Sequence, residues 1–212
     1  MAIAYDTATN GESNTSYAHT CTGNNGYLFV CIRTLSGVPS DVTYAGVSMT
    51  KLLDSNDTTG TGRDITVWGL AEPATGSNTV AINLGVSTTP LSIAISYTGV
   101  KKSGQPDATV FRRDASSDGS ETYNVTTVAD NTWSILVGHA ENDPVTAATN
   151  STQRAAVASN LFKVFDNSSV APITPAGTSD MSLTFSFSDT TYGAQVSFAP
   201  HVQPTSGFLA FM

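Results

Sequence analysis

The chain has 212 residues, of which only 12% are charged, and its formal net charge at neutral pH is -8. This length suits one large β domain or two small ones and allows a core that needs no disulfide or metal support. The acidic balance argues against a nucleic-acid-binding protein, because phosphate groups are repelled unless the few cations lie together on one face.

The surface must consist largely of uncharged Ser, Thr and Asn side chains, since charged residues are scarce. Such surfaces are typical of extracellular and virion-borne β proteins. The N-terminal segment has neither a basic start nor an apolar stretch of signal-peptide type, and no apolar run reaches the length of a membrane span. We therefore expect a protein that is made in a cytoplasm and has no membrane partner.

The first part of the chain predicts an edge strand followed by a hairpin. Ile3–Thr9 forms the edge strand, and Thr15–Cys21 and Tyr27–Thr34 flank a turn-rich segment, so we expect these two strands to pair. The second arm is apolar on both faces, which predicts a central strand. Cys21 and Cys31 could close a disulfide, but two cysteines in an intracellular protein favour buried free thiols.

The stretch Val42–Leu84 organises the next part of the chain. Within it, Ile65–Leu70 and Asn78–Leu84 predict a hairpin across a connection that contains Pro73 and Gly76. A long polar loop precedes this hairpin, and such loops lie at the rim of sandwich folds, where binding surfaces are also found. From Leu91 to Tyr97, large apolar residues alternate with the small residues Ser92, Ala94 and Ser96, the pattern of a half-buried strand.

The second half of the chain continues the strand pattern. Glu121–Val128 and Thr132–His139 predict two strands, whereas Thr152–Ala158 fits either a strand or a single helical turn. Met181–Phe187 alternates without interruption, and we expect it to form a closing hairpin with Thr191–Ala199.

About twelve short strands and no convincing helix predict an all-β, two-sheet antiparallel β-sandwich or jelly roll. No composition shift divides the chain and no internal repeat of fixed period is visible, so we expect a single domain over 1–200 and a C-terminal tail over 201–212. The tail ends in five apolar residues, which pack either on their own domain or on a neighbouring subunit. We therefore predict a partner-binding role for Phe208, Leu209, Phe211 and Met212.

Two stretches, Val42–Leu52 and Val67–Val80, resemble a β-sandwich module of bacteriophage virion proteins and bacterial surface proteins. Ser16–Thr20 with Gly26–Ile32 resembles the opening hairpin of that module. Leu183–Phe187 with Ala194–Phe198 resembles its closing pair. The resemblance spans nearly the whole chain and rests mainly on turn formers and core apolar residues. It implies the fold and an accessory or adhesive setting on capsids, tail parts or secreted proteins, and it implies no catalytic residue.

The nucleophiles and histidines of the chain do not form a recognisable reactive motif. His19, His139 and His201 lie far apart in sequence, and none is at metal-ligand spacing from another histidine or from a cysteine. Serines are abundant, so composition alone permits a Ser-His-Asp triad, but the Gly-x-Ser-x-Gly elbow is missing. We expect no catalytic, cofactor or metal site from these residues.

Acidic and aromatic residues give two further candidate sites. Most acids lie in turns, where solvated loops are the simpler explanation, although the loop from Asp54 to Asp64 has enough oxygens for calcium without the order of an EF-hand. Trp68 and Trp133 could form a sugar-stacking platform, but both lie in predicted strands, which favours core packing.

These expectations favour a non-enzymatic structural virion protein of a tailed bacteriophage, most simply a capsid decoration or cement protein. Its partners are then the major capsid protein or another virion protein, and it forms a homo-oligomer, with a trimer preferred. The main alternative is a carbohydrate- or receptor-binding module of a tail fibre or surface adhesin, which would use the rim loops Asp54–Arg63 and Asp114–Ser120. A third hypothesis is an enzyme accessory domain whose catalytic partner lies on another chain.

Overall fold

The computed structural model describes residues 1–55, 63–85, 88–117, 119–142, 144–159, 161–185 and 189–202. In these residues the regular elements are β-strands that pair antiparallel in several packed sheets, so the predicted all-β sandwich is confirmed. The same residues contain no helix with the length and apolarity to cross a membrane.

The strands fall into two successive groups, which we call the N-half and the C-half. The N-half strands are β1 (Ala4–Glu12), β2 (Ser16–Cys21), β3 (Tyr27–Thr34), β4 (Asp41–Tyr44), β5 (Val47–Ser48), β6 (Thr50–Asp54), β7 (Asp64–Ala71), β8 (Gly76–Asn83) and β9 (Leu91–Thr98). The C-half strands are β10 (Ala108–Ser117), β11 (Ser120–Thr126), β12 (Trp133–Ala140), β13 (Ala147–Thr149), β14 (Thr152–Val157), β15 (Phe162–Asp166), β16 (Thr178–Thr184) and β17 (Asp189–Phe198).

The two halves have the same topology. The inner N sheet has the order β1-β9-β3-β7-β6, and the inner C sheet has the order β10-β17-β12-β15-β14. The outer N sheet is β2-β8-β4-β5, and the outer C sheet is β11-β16-β13. If each C-half strand is matched in chain order to its N-half counterpart, with β5 left out, both sheet orders coincide. The fold is therefore a duplicated sandwich.

The strand registers repeat as well. Opposite β7, the strand β6 carries a bulge between Lys51 and Leu53, and opposite β15, the strand β14 carries a bulge between Gln153 and Ala155. A bulge bends its strand and increases the local twist, so the matching edge strands β6 and β14 are bent at the same place.

The four sheets form four layers. The two inner sheets face each other across the largest core, which contains residues from both halves, and each outer sheet covers the other face of its own inner sheet. The inner strands are accordingly buried on both faces: all eight residues of β3 are buried, which confirms the predicted central strand. The outer strands alternate between buried and exposed residues, as β11 does.

Equivalent residues meet between the inner sheets, as they do at a two-fold axis. Tyr97 and Phe198 occupy matching positions on β9 and β17, and their ring centroids are 4.9 Å apart. Arg33 and His139 occupy matching positions on β3 and β12, and Arg33 Nε lies 3.1 Å from His139 Nε2. The first pair marks an aromatic end of the interface, and the second marks a polar end. This arrangement is that of an isologous dimer within one chain.

Three hairpins predicted from the sequence are wrong. β2 and β3 lie in different sheets, as do β7 and β8, and as do β16 and β17. In each case the connecting segment crosses between an outer and an inner sheet, because one strand of the pair alternates in polarity and the other is buried on both faces. The ambiguous segment Thr152–Ala158 forms the strand β14.

Candidate functional site

One cluster in the N-half has the composition of a catalytic triad. His19 Nδ1 lies 2.9 Å from Thr9 Oγ1, and its Nε2 lies 3.2 Å from Ser96 Oγ. Ser96 Oγ in turn donates to Asp6 Oδ2 at 2.8 Å. Burial lowers the pKa of His19 to about 4, so the imidazole is neutral at physiological pH.

The connections in this cluster differ from those of a triad. In a triad the acid orients the histidine, whereas here Asp6 bonds the serine and Thr9 takes the position of the acid on His19. Ser96 is also only 1% exposed, so its hydroxyl has no access to a substrate. The cluster can hold strands together, but it cannot perform acyl transfer in this form.

The duplicated topology explains what Asp6 does. Asp6 Oδ2 accepts a hydrogen bond from the Thr22 backbone N–H at 2.8 Å. At the matching place in the C-half, Asp107 accepts from the N–H of Val128 at 2.8 Å and of Ala129 at 3.1 Å. An acid therefore fixes the turn after the second strand of each half, although only the N-half has a histidine nearby. This shared contact identifies Asp6 as a structural residue.

The polar end of the interface brings together a second group of ionisable residues. Arg33 donates to His139, and Arg63 Nη1 lies 3.2 Å from Glu141 Oε1. Tyr192 donates to the same carboxylate oxygen at 3.0 Å, and its ring stacks on His139 with centroids 5.9 Å apart. His139 is fully buried. These residues connect the two halves, and none of them is among the described residues that line the three clefts of about 550, 610 and 330 Å³.

A third polar group lies near the aromatic end. Asp166 is fully buried and accepts from Arg154 Nε at 2.6 Å and from Tyr97 OH at 2.9 Å. The Arg154 guanidinium also lies 4.0 Å from the centroid of the Tyr5 ring. Because Tyr5 and Tyr97 belong to the N-half and the other two residues to the C-half, this group also joins the halves.

The described residues contain no group of three or more His, Cys, Asp or Glu side chains arranged to hold a metal ion. Cys21 and Cys31 are both buried and free, which confirms the prediction of free thiols rather than a disulfide. They lie in different cores, on opposite faces of the inner N sheet, so they are not placed for a disulfide.

The two tryptophans have different environments. Trp68 is only 5% exposed, and its indole N–H donates to Thr66 Oγ1 at 3.0 Å, so it is a core residue. Trp133 is half-buried, packs edge-on against Tyr97 and lines a cleft. They therefore do not form a shared stacking platform.

The surface most suited to binding lies at the aromatic end, where the chain begins and the described residues end. Met1 N donates to His201 O at 2.9 Å, and His201 N donates to Gly99 O at 2.7 Å. Pro200 to Val202 separate two clefts of about 550 and 610 Å³. We call the residues that line these clefts the terminal face: Met1, Ala2, Ile3, Lys101, Lys102, Ser103, Ala129, Asp130, Asn131, Trp133, Pro172, Ala199, Pro200, His201 and Val202.

Exposed apolar side chains gather at the terminal face. Met1 and Val202 line it and are 58% and 76% exposed. Val128, next to the lining residue Ala129, is 78% exposed. Sequence reasoning missed this surface, because it forms only where segments distant in the chain meet. The one related prediction was the C-terminal tail over 201–212, whose first two residues, His201 and Val202, line this surface.

Several predicted binding residues lie outside the described part of the chain. Phe208, Leu209, Phe211 and Met212 belong to this group, as do 56–62 of the rim loop Asp54–Arg63 and Asp118 of the loop Asp114–Ser120. The predictions for them stay predictions.

No family model matches this sequence, and the comparisons with curated proteins and with solved structures also give no match. Function is therefore argued from the geometry of the chain itself.

Proposed function

We propose that this protein is a non-enzymatic structural component of a tailed-phage virion, most simply a capsid decoration protein, that binds another virion protein through its terminal face. The observation that carries this proposal is the concentration of exposed apolar side chains around two adjoining clefts at one end of the molecule. Exposed apolar patches next to clefts mark protein contact sites.

The distribution of polar groups supports a binding role rather than a chemical one. The buried His19, His139 and Asp166 all have hydrogen-bond partners within the fold, which keeps them away from a substrate. The acidic surface, which carries few charged residues, suits a component of a virus particle. The resemblance of the sequence to a module of virion proteins is the reason for proposing a phage virion. In this proposal the tail residues Phe208, Leu209, Phe211 and Met212 extend the contact beyond the terminal face.

Binding to particles tests the proposal. Purified protein should bind capsids that lack it and raise their resistance to heat, and the substitution Val202→Asp should weaken binding about tenfold or more, because it places a charge in an apolar contact. Val47→Asp is the matched control, since Val47 is 55% exposed but lies outside the clefts. Absence of binding, or equal effects of the two substitutions, would contradict the proposal.

The proposed homo-oligomer is tested separately, because a decoration protein can bind as a monomer. Mass photometry of the full chain should give a trimer, and a monomer at all concentrations would remove this part of the proposal.

One observation favours a second candidate function, glycan binding. Trp133 is half-buried in a cleft that also contains Asn131 and His201, and an indole face beside polar groups suits a sugar ring. A glycan array with wild-type protein and Trp133→Ala separates the candidates. A hit that disappears in the variant would favour the second function, and no hit above background would remove it.

A further inference from the structure

The backbone of the terminal face follows the two-fold relation between the halves. Shortly after the matching residues Tyr97 and Phe198, the segments that leave β9 and β17 run side by side, and Val100 pairs with Pro200 in an antiparallel bridge. Each half therefore contributes an equivalent stretch of chain to this end of the molecule.

Equivalent positions on the two sides carry different side chains. Counting onward from the matched residues at the ends of β9 and β17 gives Lys101 as the counterpart of Val202. Counting back from the matched acids near the starts of β1 and β10 gives Lys102 as the counterpart of Met1. Two adjacent lysines on one side thus correspond to two exposed apolar residues on the other. The terminal face has a cationic side and an apolar side.

The two clefts of the terminal face divide in the same way. The cleft of about 550 Å³, which we call the apolar cleft, has Met1, Trp133 and Pro172 in its walls. The cleft of about 610 Å³, which we call the lysine cleft, has Lys101 and Lys102 in its walls. The last described residues of the chain form the ridge between the two clefts.

The lysine cleft can accept a carboxylate from another molecule. Lys101 takes part in no ion pair within the part of the chain that the structure describes. Lys102 pairs with Glu72, but both side chains are about half exposed, so this pair is weak and exchangeable. Asp130 lines the same cleft, and its carboxylate accepts from the Ala176 N–H at 2.7 Å. Ammonium groups are therefore available here on a chain whose net charge is -8.

We propose that the terminal face binds an extended peptide segment of its partner, with a bulky apolar side chain in the apolar cleft and a carboxylate two positions away in the lysine cleft, beside Lys101 and Lys102. An extended segment suits this face because a ridge separates the clefts. Side chains two positions apart in such a segment point the same way, about 7 Å apart, so that one can enter each cleft. This inference rests on the proposed function, since it takes the terminal face as the binding surface.

The chain's own residues 203–212 fit the terminal face less well than such a peptide. They include apolar side chains for the apolar cleft but no acidic side chain for the lysine cleft. A segment from a second copy has the same composition. The charge of the lysine cleft therefore favours a different protein as the source of the peptide.

Selection from a library of short random peptides tests the proposed chemistry. The immobilised full chain should enrich peptides that combine an aromatic or large aliphatic residue with Asp or Glu two positions away. No enrichment, or enrichment of apolar peptides without an acid at a fixed position, would overturn the inference. Enriched peptides that resemble Phe208–Met212 would overturn it as well, because they would identify the end of this chain as the occupant.

Charge reversal assigns the acid of the selected peptide to the lysine cleft. The double substitution Lys101→Glu, Lys102→Glu should weaken binding about fivefold or more, and a peptide with Lys in place of its acid should recover binding to this variant. Arg112→Glu is the matched control, since Arg112 is an exposed cation outside the clefts, and it should leave binding unchanged. Failure of the exchanged peptide to prefer the variant over wild type would contradict the assignment.

Capsid binding by the same double variant separates this inference from the proposed function. If wild type and variant bind capsids equally, the proposed function stands and the acidic peptide is overturned. If the selected peptides bind at the terminal face but capsids do not bind at all, the peptide inference stands and the phage setting is overturned.

Discussion

Single residues in this protein have roles that are visible only beside their counterparts in the other half. Asp6 and Asp107 hold the same turn, so the acid of the triad-like cluster is explained without chemistry. Tyr17 and Tyr123 likewise lie at matching positions, where a β-carbon on Gly11 or on Gly193 would meet the tyrosine ring at 2.3 or 2.2 Å. Glycine at these places allows each outer sheet to approach its inner sheet closely.

The buried His19 makes stability depend on pH. Its pKa is about 4 in the folded protein because of burial, whereas an unperturbed histidine titrates at 6.5. Between these values the unfolded chain binds a proton that the folded chain does not. The stabilisation is therefore complete above the higher pKa and decreases as the pH falls toward the lower one. We expect a loss of about 3 kcal/mol at most, measured by urea unfolding at a series of pH values.

His19→Gln should flatten this part of the pH profile, because the titrating group is gone. His201→Gln is the control, since His201 lies at the terminal face outside the core clusters and should leave the slope unchanged. Equal slopes for wild type and His19→Gln would contradict this prediction.

At the level of elements, the strands of the two halves are joined across the interface by Asp166. This carboxylate at the end of β15 accepts from Tyr97 on β9 and from Arg154 on β14. It also accepts from the Ser168 N–H at 3.1 Å. A buried carboxylate needs several such donors, because its desolvation is not offset by one partner alone. The matching N-half position is Gly69, so this contact exists on one side of the interface only.

Asp166→Asn should therefore destabilise the protein by about 3–5 kcal/mol, because it leaves the Arg154 charge without its partner in a partly buried place. Chemical denaturation measures the change. Glu72→Gln is the matched control: it breaks the exposed pair with Lys102 and should cost less than about 1 kcal/mol. Similar costs for the two substitutions would show that Asp166 is not the residue that joins the strands.

At the scale of the whole molecule, the largest core is shared by the halves. It contains Phe29 and Tyr97 from the N-half and Phe198 from the C-half, with Phe29 and Phe198 ring centroids 5.0 Å apart. Neither half can unfold without exposing the inner face of the other. At neutral pH the chain should therefore unfold as one cooperative unit.

Two single-tryptophan variants test this cooperativity. Trp133→Phe leaves Trp68 as the reporter of the N-half, and Trp68→Phe leaves Trp133 as the reporter of the C-half. Unfolding of each variant is followed both by fluorescence and by circular dichroism, so the effect of the substitution on stability is the same in the two signals. The two transitions of each variant should coincide. A fluorescence midpoint that differs from the circular dichroism midpoint of its own variant would mean that the halves unfold separately.

The sequence could predict much of the local structure but little of the pairing. The alternation that begins at Met181 correctly indicated the strand Thr178–Thr184, and the two apolar faces of Tyr27–Thr34 correctly indicated a central one. The predicted hairpins failed because periodicity reports which side chains are buried and not which strand lies alongside. The internal repeat was hidden for a related reason, since matched positions such as Ile32 and Gly138 share their place in a sheet but not their side chains.

The sequence alone determined the all-β class, the two buried faces of Tyr27–Thr34 and the scarcity of surface charge, because these depend on composition and on the two-residue period of a strand. Only the tertiary structure decided that two sandwiches pack face to face, that Arg33 meets His139, and that Met1 lies beside His201. These contacts join segments that are far apart in the chain, and no local pattern encodes which distant segments will share a core.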